Sequence, residues 1–180
     1  YSGKGPEAKP GSLDKDVIIR ADRADGIVIR NLLARGAVEH GIYVEETDGY
    51  LIDRTAMYWA ADYGNLTFTS DHGMYRRCDA MGAGDAAIYP GAAPESGEQA
   101  DLSFYTDAPR INTVVTKCDL RHSMLGYSGS MGNAVRITKN EVYGNGLGLS
   151  TDTISAAGHP GYPADSVEID NNNIYSNNLD

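Results

Sequence analysis

The sequence ITKNEVYGN at residues 137–145 recurs as IDNNNIYSN at residues 169–177. Both stretches follow the pattern V/I-x-x-N-x-V/I, in which β-branched residues alternate with polar ones. Both are short, and Gly, Ser and Asn bound them, which is typical of β-strands and tight turns rather than helices. The pair therefore predicts two similar strand-turn-strand units.

Looser copies of the same pattern extend over most of the chain. We align them on three positions each: Val28, Asn31, Leu33; Leu51, Arg54, Ala56; Tyr75, Cys78, Ala80; Val115, Cys118, Leu120; Ile137, Asn140, Val142; Ile169, Asn172, Ile174. The intervals are 23, 24, 40, 22 and 32 residues, so a period of 22–24 is interrupted by insertions near 91–109 and 152–165. Repeats of this length stack on one another, which predicts a solenoid.

The repeats predict an all-β fold, a right-handed parallel β-helix of about six coils. The helix is expected to cover residues 17–180, after an N-terminal extension over residues 1–16. Because the chain starts without Met and stops inside a repeat, we expect it to be a fragment of a longer protein.

The composition excludes several classes of function. Fifteen Lys and Arg against 25 Asp and Glu give a net charge of −10, which argues against a nucleic-acid-coating surface. Apolar residues make up 41%, too many for a disordered tail. No apolar run approaches the ~20 residues of a transmembrane helix, so no membrane span is expected.

Stacked coils turn sequence positions into columns along the solenoid. Cys78 and Cys118 fall at the same position of adjacent coils, although 40 residues separate them. Stacked α-carbons lie ~5 Å apart, within the range that a disulfide accepts. We expect the two side chains to be neighbours, either as a disulfide or as stacked thiols.

Charged residues form two further columns beside the cysteines. The basic column contains Arg77, Lys117 and Lys139. The acidic column, two residues along, contains Asp79, Asp119 and Glu141. One hypothesis is that the basic column grips an acidic polysaccharide. The alternative is that each cation is neutralised by the acid of its own coil, in exposed pairs worth ~0–1 kcal/mol each.

Three aspartates are expected to stack at one turn: Asp25, Asp48 and Asp71. Carboxylates ~5 Å apart repel one another unless something compensates their charge. A Ca²⁺ ion with oxygen ligands would do so. Hydrogen bonds from turn amides, which the Asp-Gly context favours, would also do so.

The repeats at 137–145 and 169–177, with Gly41-Ile42-Tyr43-Val44 and the stretch 146–150, resemble the right-handed parallel β-helix family of pectate-lyase-like proteins. The stretches 68–73, 88–94 and 125–133 are similar to a secreted bacterial branch of that family. The resemblance implies export from the cell and work on polysaccharides, as lyases, hydrolases, uronate epimerases or adhesins.

Lyase chemistry of the kind this resemblance implies needs a base, an acid and a cation beside the uronate carboxylate. The candidate catalytic residues are Asp71, His72, Tyr89, His122, Tyr127 and Asp152. The candidate substrate-binding residues are Arg77, Lys117, Ser128, Ser130, Lys139 and His159. No cofactor is expected other than Ca²⁺ at the three aspartates.

Two functional hypotheses follow from the sequence. The first is a secreted β-helix protein that binds or processes polysaccharide. Its reaction would be that of a lyase or an epimerase acting on uronate-containing glycans. The second is a non-catalytic structural or adhesive β-helix that stacks with further segments or copies in an extracellular assembly.

Overall fold

A computed structural model of the chain describes residues 16–93, 112–153 and 164–178. Sixteen β-strands make up its regular structure: β1 Ile19–Asp22, β2 Ile27–Ala37, β3 Ile42–Glu45, β4 Asp48–Ala60, β5 Asn65–Phe68, β6 Asp71–Arg76, β7 Asp79–Met81, β8 Ala86–Gly91, β9 Thr113–Thr116, β10 Asp119–Arg121, β11 Leu125–Ser130, β12 Val135–Thr138, β13 Glu141–Tyr143, β14 Leu147–Asp152, β15 Glu168–Asp170 and β16 Asn173–Tyr175. Within the described ranges no helix is long and apolar enough to cross a membrane.

The strands form three parallel faces around one core. The first face is the sheet β1-β3-β5-β8-β11-β14. The second face contains the first part of β2 and of β4, followed by β6, β9, β12 and β15. The third face contains the second part of β2 and of β4, followed by β7, β10, β13 and β16. β2 and β4 are long because each continues through the bend between the second and third faces.

The strand register confirms the parallel β-helix of about six coils. Ile137 pairs with Ile169, and Leu120 pairs with Val142, so the repeats lie directly over one another. Every strand pair is parallel, as it must be when each coil repeats the path of the coil before it. Coils are therefore separated by the ordinary strand spacing of ~4.8 Å.

The alignment of the first two coils on the others was wrong by one residue. Tyr75 lies over Ile52 rather than Leu51, and Ala80 lies over Met57 rather than Ala56. The reason is that two consecutive apolar residues occur at this position in both early coils, so the alternation does not specify which one is buried. A one-residue shift exchanges the inner and outer faces of a strand, and Val28 is accordingly 52% exposed.

The core is built from inward residues of all three faces, such as Ile42, Ile88 and Tyr127 on the first, together with one column on the second face and one on the third. Both columns are fully or almost fully buried in the first five coils: Ile29, Ile52, Tyr75, Val115 and Ile137; Ala34, Met57, Ala80, Leu120 and Val142. Val and Ile suit these positions because β-branched side chains pack well on a pleated surface. Burial of these columns is what holds the three faces in fixed positions.

The bend between the second and third faces is made by one left-handed residue per coil. These residues have φ between 52° and 60°: Asn31, Arg54, Arg77, Lys117, Lys139 and Asn171. The register correction moves Asn31 and Arg54 into this column, and Leu32 and Thr55 take their expected places beside the cysteines. We call the four cations Arg54, Arg77, Lys117 and Lys139 the basic ridge.

Candidate functional site

The basic ridge is a continuous row of cations along the described structure. Its four cations follow one another at a spacing of one coil, ~4.8 Å, along the axis of the solenoid. All four residues are exposed. Lys117 and Lys139 form no ion pair within the described residues, so their ammonium groups are available to a ligand.

A buried carboxylate anchors the N-terminal end of the ridge. Asp53, whose side chain is 4% exposed, accepts two hydrogen bonds from Arg76 at 3.0–3.2 Å and two from Arg77 at 3.0 Å. Arg54 lies 3.6 Å from the same carboxylate. Hydrogen bonds from Arg76 and then Arg77 hold the pKa of Asp53 below its ordinary range. Three guanidinium groups share one carboxylate, and the local charge stays positive.

The acidic column that was expected to cancel the ridge is engaged elsewhere. Arg121 bonds both Asp79 and Asp119, and Tyr58 donates its hydroxyl proton to Asp79 at 2.5 Å. The expected pairing of Arg77 with Asp79 is therefore wrong, because Arg77 turns to Asp53 in the coil below.

Glu141, the third acid of that column, accepts the Nδ2 protons of Asn173 at 2.9 and 3.2 Å. Each acid of the column thus has a hydrogen-bond partner other than the ridge cation of its own coil. Arg121 carries one charge for two aspartates and Asn173 is neutral, so the column keeps negative charge beside the ridge, and both interpretations of the ridge stay open.

The Asp53 cluster predicts a specific loss of stability in acid. A folded-state pKa below the ordinary value of 3.8 means that the carboxylate stabilises the fold above that pH, and the contribution is lost as the pH falls below it. Asp53→Asn should therefore destabilise the protein at neutral pH, and its difference from wild type should shrink below pH 4 in urea titrations. Asp22→Asn, at an exposed carboxylate of the first face, is the matched control. A difference that does not change with pH would contradict the assignment.

The three stacked aspartates lie together as expected, at the bend between the first and second faces. Asp48 pairs with Asp71 in register, and Asp25 accepts the backbone N–H of Asp48 at 2.8 Å. His72 Nδ1 lies 2.5 Å from Asp48 Oδ1 and 3.0 Å from Asp71 Oδ1. A backbone amide of the next coil and the imidazole of His72 thus bond the stacked carboxylates, in place of the amides of the same turn that were expected.

These aspartates line an open acidic groove of about 330 Å³. Its lining residues are Asp25, Glu46, Thr47, Asp48, Thr69 and Asp71. Its oxygens are of the kind that Ca²⁺ prefers, but the imidazole of His72 already occupies the space between two of the carboxylates. The groove lies one full face away from the basic ridge.

Four candidates share the outer side of the first face. Tyr89 on β8 lies beside Ser128 and Ser130 on β11, and Ser130 pairs in register with Asp152 on β14. Tyr89, Ser128 and Ser130 are 3%, 7% and 5% exposed. Burial raises the pKa of Tyr89 above its ordinary value. The phenol therefore stays protonated and little exposed.

Tyr127 does not belong to this outer wall, contrary to expectation. It pairs in register with Ile88 and points into the core, where it is 1% exposed. Inner and outer residues alternate along a strand, so Tyr127 lies on the opposite side of β11 from Ser128 and Ser130. A substrate on the surface cannot contact its hydroxyl.

Two buried tyrosines give a matched test of this placement. The Tyr127 hydroxyl has no hydrogen-bond partner in the described structure, whereas that of Tyr50 bonds Thr67 at 3.1 Å and Thr113 at 2.9 Å. Tyr127→Phe should leave the free energy of unfolding unchanged or raise it, since an unpaired hydroxyl is removed. Tyr50→Phe should lower it by about 1–2 kcal/mol. Urea denaturation measures both; a larger loss in Tyr127→Phe than in Tyr50→Phe would contradict the assignment.

The other histidine candidates lie apart from these groups. His122 is at the bend between the third and first faces, with φ 50° and its ring 6.2 Å from that of Tyr143. His159 lies outside the described residues, as do most of the two insertions. The candidate acids and bases are therefore distributed over different faces, and the described structure brings no catalytic pair together at the ridge.

Cys78 and Cys118 are neighbours, as expected. The Cys78 N–H donates to Cys118 Sγ at 3.4 Å, and both residues are 2% exposed free thiols. Burial raises the pKa of the Cys118 thiol well above its ordinary value. The stacked-thiol alternative is the one observed.

The sequence analysis missed one cation of the ridge, Arg54, and one beside it, Arg76. Arg54 was assigned to the cysteine column because of the one-residue error, and Arg76 was not considered. The signal that identifies Arg54 is its spacing of 23 residues from Arg77.

Comparison with models of protein families, with curated proteins and with solved structures found no match to this chain.

Proposed function

We propose that this chain is a polysaccharide-binding β-helix that holds an acidic, uronate-containing chain along the basic ridge. The observation that carries the proposal is the occupation of four successive left-handed bend positions by Arg54, Arg77, Lys117 and Lys139.

Left-handed residues other than Gly are not restricted to the ridge. The bend between the first and second faces has them in five successive coils, at Arg23, Glu46, Thr69, Ala92 and Met131. The backbone conformation therefore belongs to the fold, and what distinguishes the ridge is that its four successive positions all carry a cation.

The spacing and the available charge favour a linear polyanion. A cation every ~4.8 Å suits a polymer that presents one carboxylate per sugar ring, a unit of similar length. Among the described residues Lys117 and Lys139 have no ion-pair partner, and the three guanidinium groups of Arg54, Arg76 and Arg77 share the single carboxylate of Asp53. The ridge is thus locally cationic on a chain with a net charge of −10.

The proposal is one of binding. A lyase- or epimerase-like reaction would need a base close to the bound sugar, and His72, His122 and Tyr89 lie on other faces or bends. A secreted location and kinship with pectate-lyase-like proteins belong to the proposal; the parallel β-helix fold and the sequence resemblance support them.

A structural role in an assembly is the second candidate. The last described coil exposes apolar side chains that its predecessors bury: Ile169 is 48% and Ile174 is 45% exposed. A further coil, from this chain or another copy, would cover them. Concentration-dependent association, without any affinity for polyuronate, would favour this candidate.

Calorimetric titration with polygalacturonate and with its fully methyl-esterified form tests the proposal. Only the charged polymer should bind. Lys117→Gln combined with Lys139→Gln should weaken binding roughly tenfold, because two charge contacts of ~0.7 kcal/mol each are lost. Arg23→Gln combined with Arg35→Gln is the control, since it removes the same charge from exposed positions elsewhere, and one of the two, Arg23, is also left-handed.

If both double variants weakened binding equally, the polymer would be responding to the net charge of the protein rather than to the ridge, and the proposal would be overturned. Equal binding of the esterified polymer, or no binding of either polymer by folded protein, would also overturn it.

A further inference from the structure

We propose a binding site for a divalent transition metal ion, with Zn²⁺ as its representative, formed by Glu39, His40 and Asp62 at the bend between the third and first faces. One possible ligand atom from each of these residues lies within 4.8 Å of the other two. None of the three belongs to the basic ridge or the acidic groove, so this site is independent of the proposed polysaccharide binding.

The stacking of coils brings the ligands together. Asp62 lies directly over Glu39, since its N–H donates to the Glu39 carbonyl at 3.0 Å. Asp85 lies over Asp62 in the same way, again at 3.0 Å. Three acids thus repeat at intervals of 23 residues, with His40 next to the first of them. Such a column of like charges is unfavourable without a cation.

His40 supplies the observation that points to a ligand. It is 6% exposed, yet its Nδ1 makes no hydrogen bond within the described residues. Its ring is held between Tyr43, at a centroid distance of 5.4 Å, and Tyr63, at 5.2 Å. A buried ring nitrogen without a hydrogen bond is costly, and the rings on either side fix it so that it faces Asp62.

The geometry suits a metal between His40 and Asp62. His40 Nδ1 lies 3.4 Å from Asp62 Oδ2. With bonds of about 2.0–2.1 Å, that separation corresponds to an angle of about 110° at the metal, close to tetrahedral. Glu39 Oε1 lies on the side of the other ring nitrogen, 3.9 Å from Nε2, so Glu39 would complete the site by turning its partly exposed side chain towards Nδ1. The side chains of Glu39 and Asp62 are 35% and 38% exposed, so an ion can enter from solvent.

The ligand types select the class of metal. Ca²⁺ and Mg²⁺ prefer all-oxygen sites, whereas one imidazole with two carboxylates suits Zn²⁺ and its neighbours. Burial lowers the pKa of His40 to about 4, which keeps its lone pair available at neutral pH. Burial, and then the charges of Asp85 and Glu39, raise the pKa of Asp62 to about 6. A bound cation would offset the charges of Asp85 and Glu39 that act on Asp62.

A second histidine–aspartate cluster in the described part of the chain provides a matched control. His72 Nδ1 also lies near two carboxylates, Asp48 and Asp71, but it is hydrogen-bonded to both. The Nδ1 atom of His72 therefore already has hydrogen-bond partners, unlike that of His40.

Titration of the full chain with Zn²⁺ and Co²⁺, by calorimetry and visible absorption, tests the site. We expect one tight site per chain, a tetrahedral Co²⁺ spectrum, and no competition from a large excess of Ca²⁺. His40→Gln and Asp62→Asn should each weaken binding at least tenfold and remove the spectrum, and His72→Gln should change neither. Asp62→Asn keeps the test valid if the His40 variant does not fold, because Asp62 is partly exposed.

Three results would overturn the site: no binding of either metal by wild type, unchanged binding in folded Asp62→Asn, or loss of the spectrum in His72→Gln.

Discussion

Replacing Gly73 with alanine is expected to lower the free energy of unfolding by about 3 kcal/mol, near the upper end of the range for an overpacked core. Gly73 pairs with Tyr50, and a β-carbon on Gly73 would overlap the Tyr50 ring. The ring cannot move aside easily, because it is 4% exposed and its hydroxyl is bonded to Thr67 and Thr113 on two other strands. Urea denaturation followed by circular dichroism measures the loss.

Gly49→Ala is the control for this substitution. Gly49 has φ +75°, and the nearest atoms to an added β-carbon belong to the Gly26 backbone, at 3.7 and 3.8 Å. The control therefore adds backbone strain without overlap, and we expect a loss of about 1 kcal/mol. If the Gly73 variant were no less stable than the Gly49 variant, Tyr50 would not occupy the position that the structure gives it.

Replacing Asn140 with alanine is expected to cost about 2–4 kcal/mol. The side chain is buried, accepts the Cys118 N–H at 2.9 Å and donates to the Val115 carbonyl at 3.0 Å. It also donates to Asn172 Oδ1 at 2.9 Å. Truncation leaves a buried backbone donor and a buried acceptor unpaired, at about 1–3 kcal/mol for each group.

Asn173→Ala is the matched control in the next coil. Asn173 is exposed, and its side chain bonds only the exposed carboxylate of Glu141. We expect a change within about 0.5 kcal/mol, as for ordinary surface positions. Similar denaturation curves for the two variants would show that Asn140 does not connect the coils.

The repeat period was sufficient to predict the architecture. In a solenoid each coil contacts only its neighbours, so the spacing of similar residues reports directly on which strands pair. Cys78 and Cys118 became neighbours across 40 residues for this reason. The aspartates at the bend before the second face are aligned at a constant interval, and they also stack as predicted.

The register of the early coils could not be obtained in the same way. Ile27-Val28-Ile29 and Tyr50-Leu51-Ile52 are apolar at three consecutive positions, so burial does not select one phase. The left-handed bend selects it, because Arg54 must occupy the position of Arg77 for the two coils to turn at the same place. This constraint on the register is visible only when the bend residues of successive coils are aligned. Alignment of the strand residues does not show it.

The sites were predicted less completely than the fold. The basic column could be seen in the sequence. Which acids its cations bond depends on the directions of the Arg77 and Arg121 side chains, and the spacing of residues along the sequence does not give those directions. The inward position of Tyr127 depends on the phase of one strand. The Glu39, Asp62 and Asp85 column was present as a regular interval, and it was overlooked because those residues lie outside the aligned pattern.

The dependence of affinity on ligand length tests the central claim, that four coils present one cation each along the ridge. Oligogalacturonates of two to six sugars can be titrated into the wild-type protein at fixed ionic strength. We predict that affinity rises at least tenfold from two sugars to four, which span three coil steps or ~15 Å, and then levels off. Equal affinity for two and four sugars, or a steady rise through six, would contradict a ligand held along these four cations.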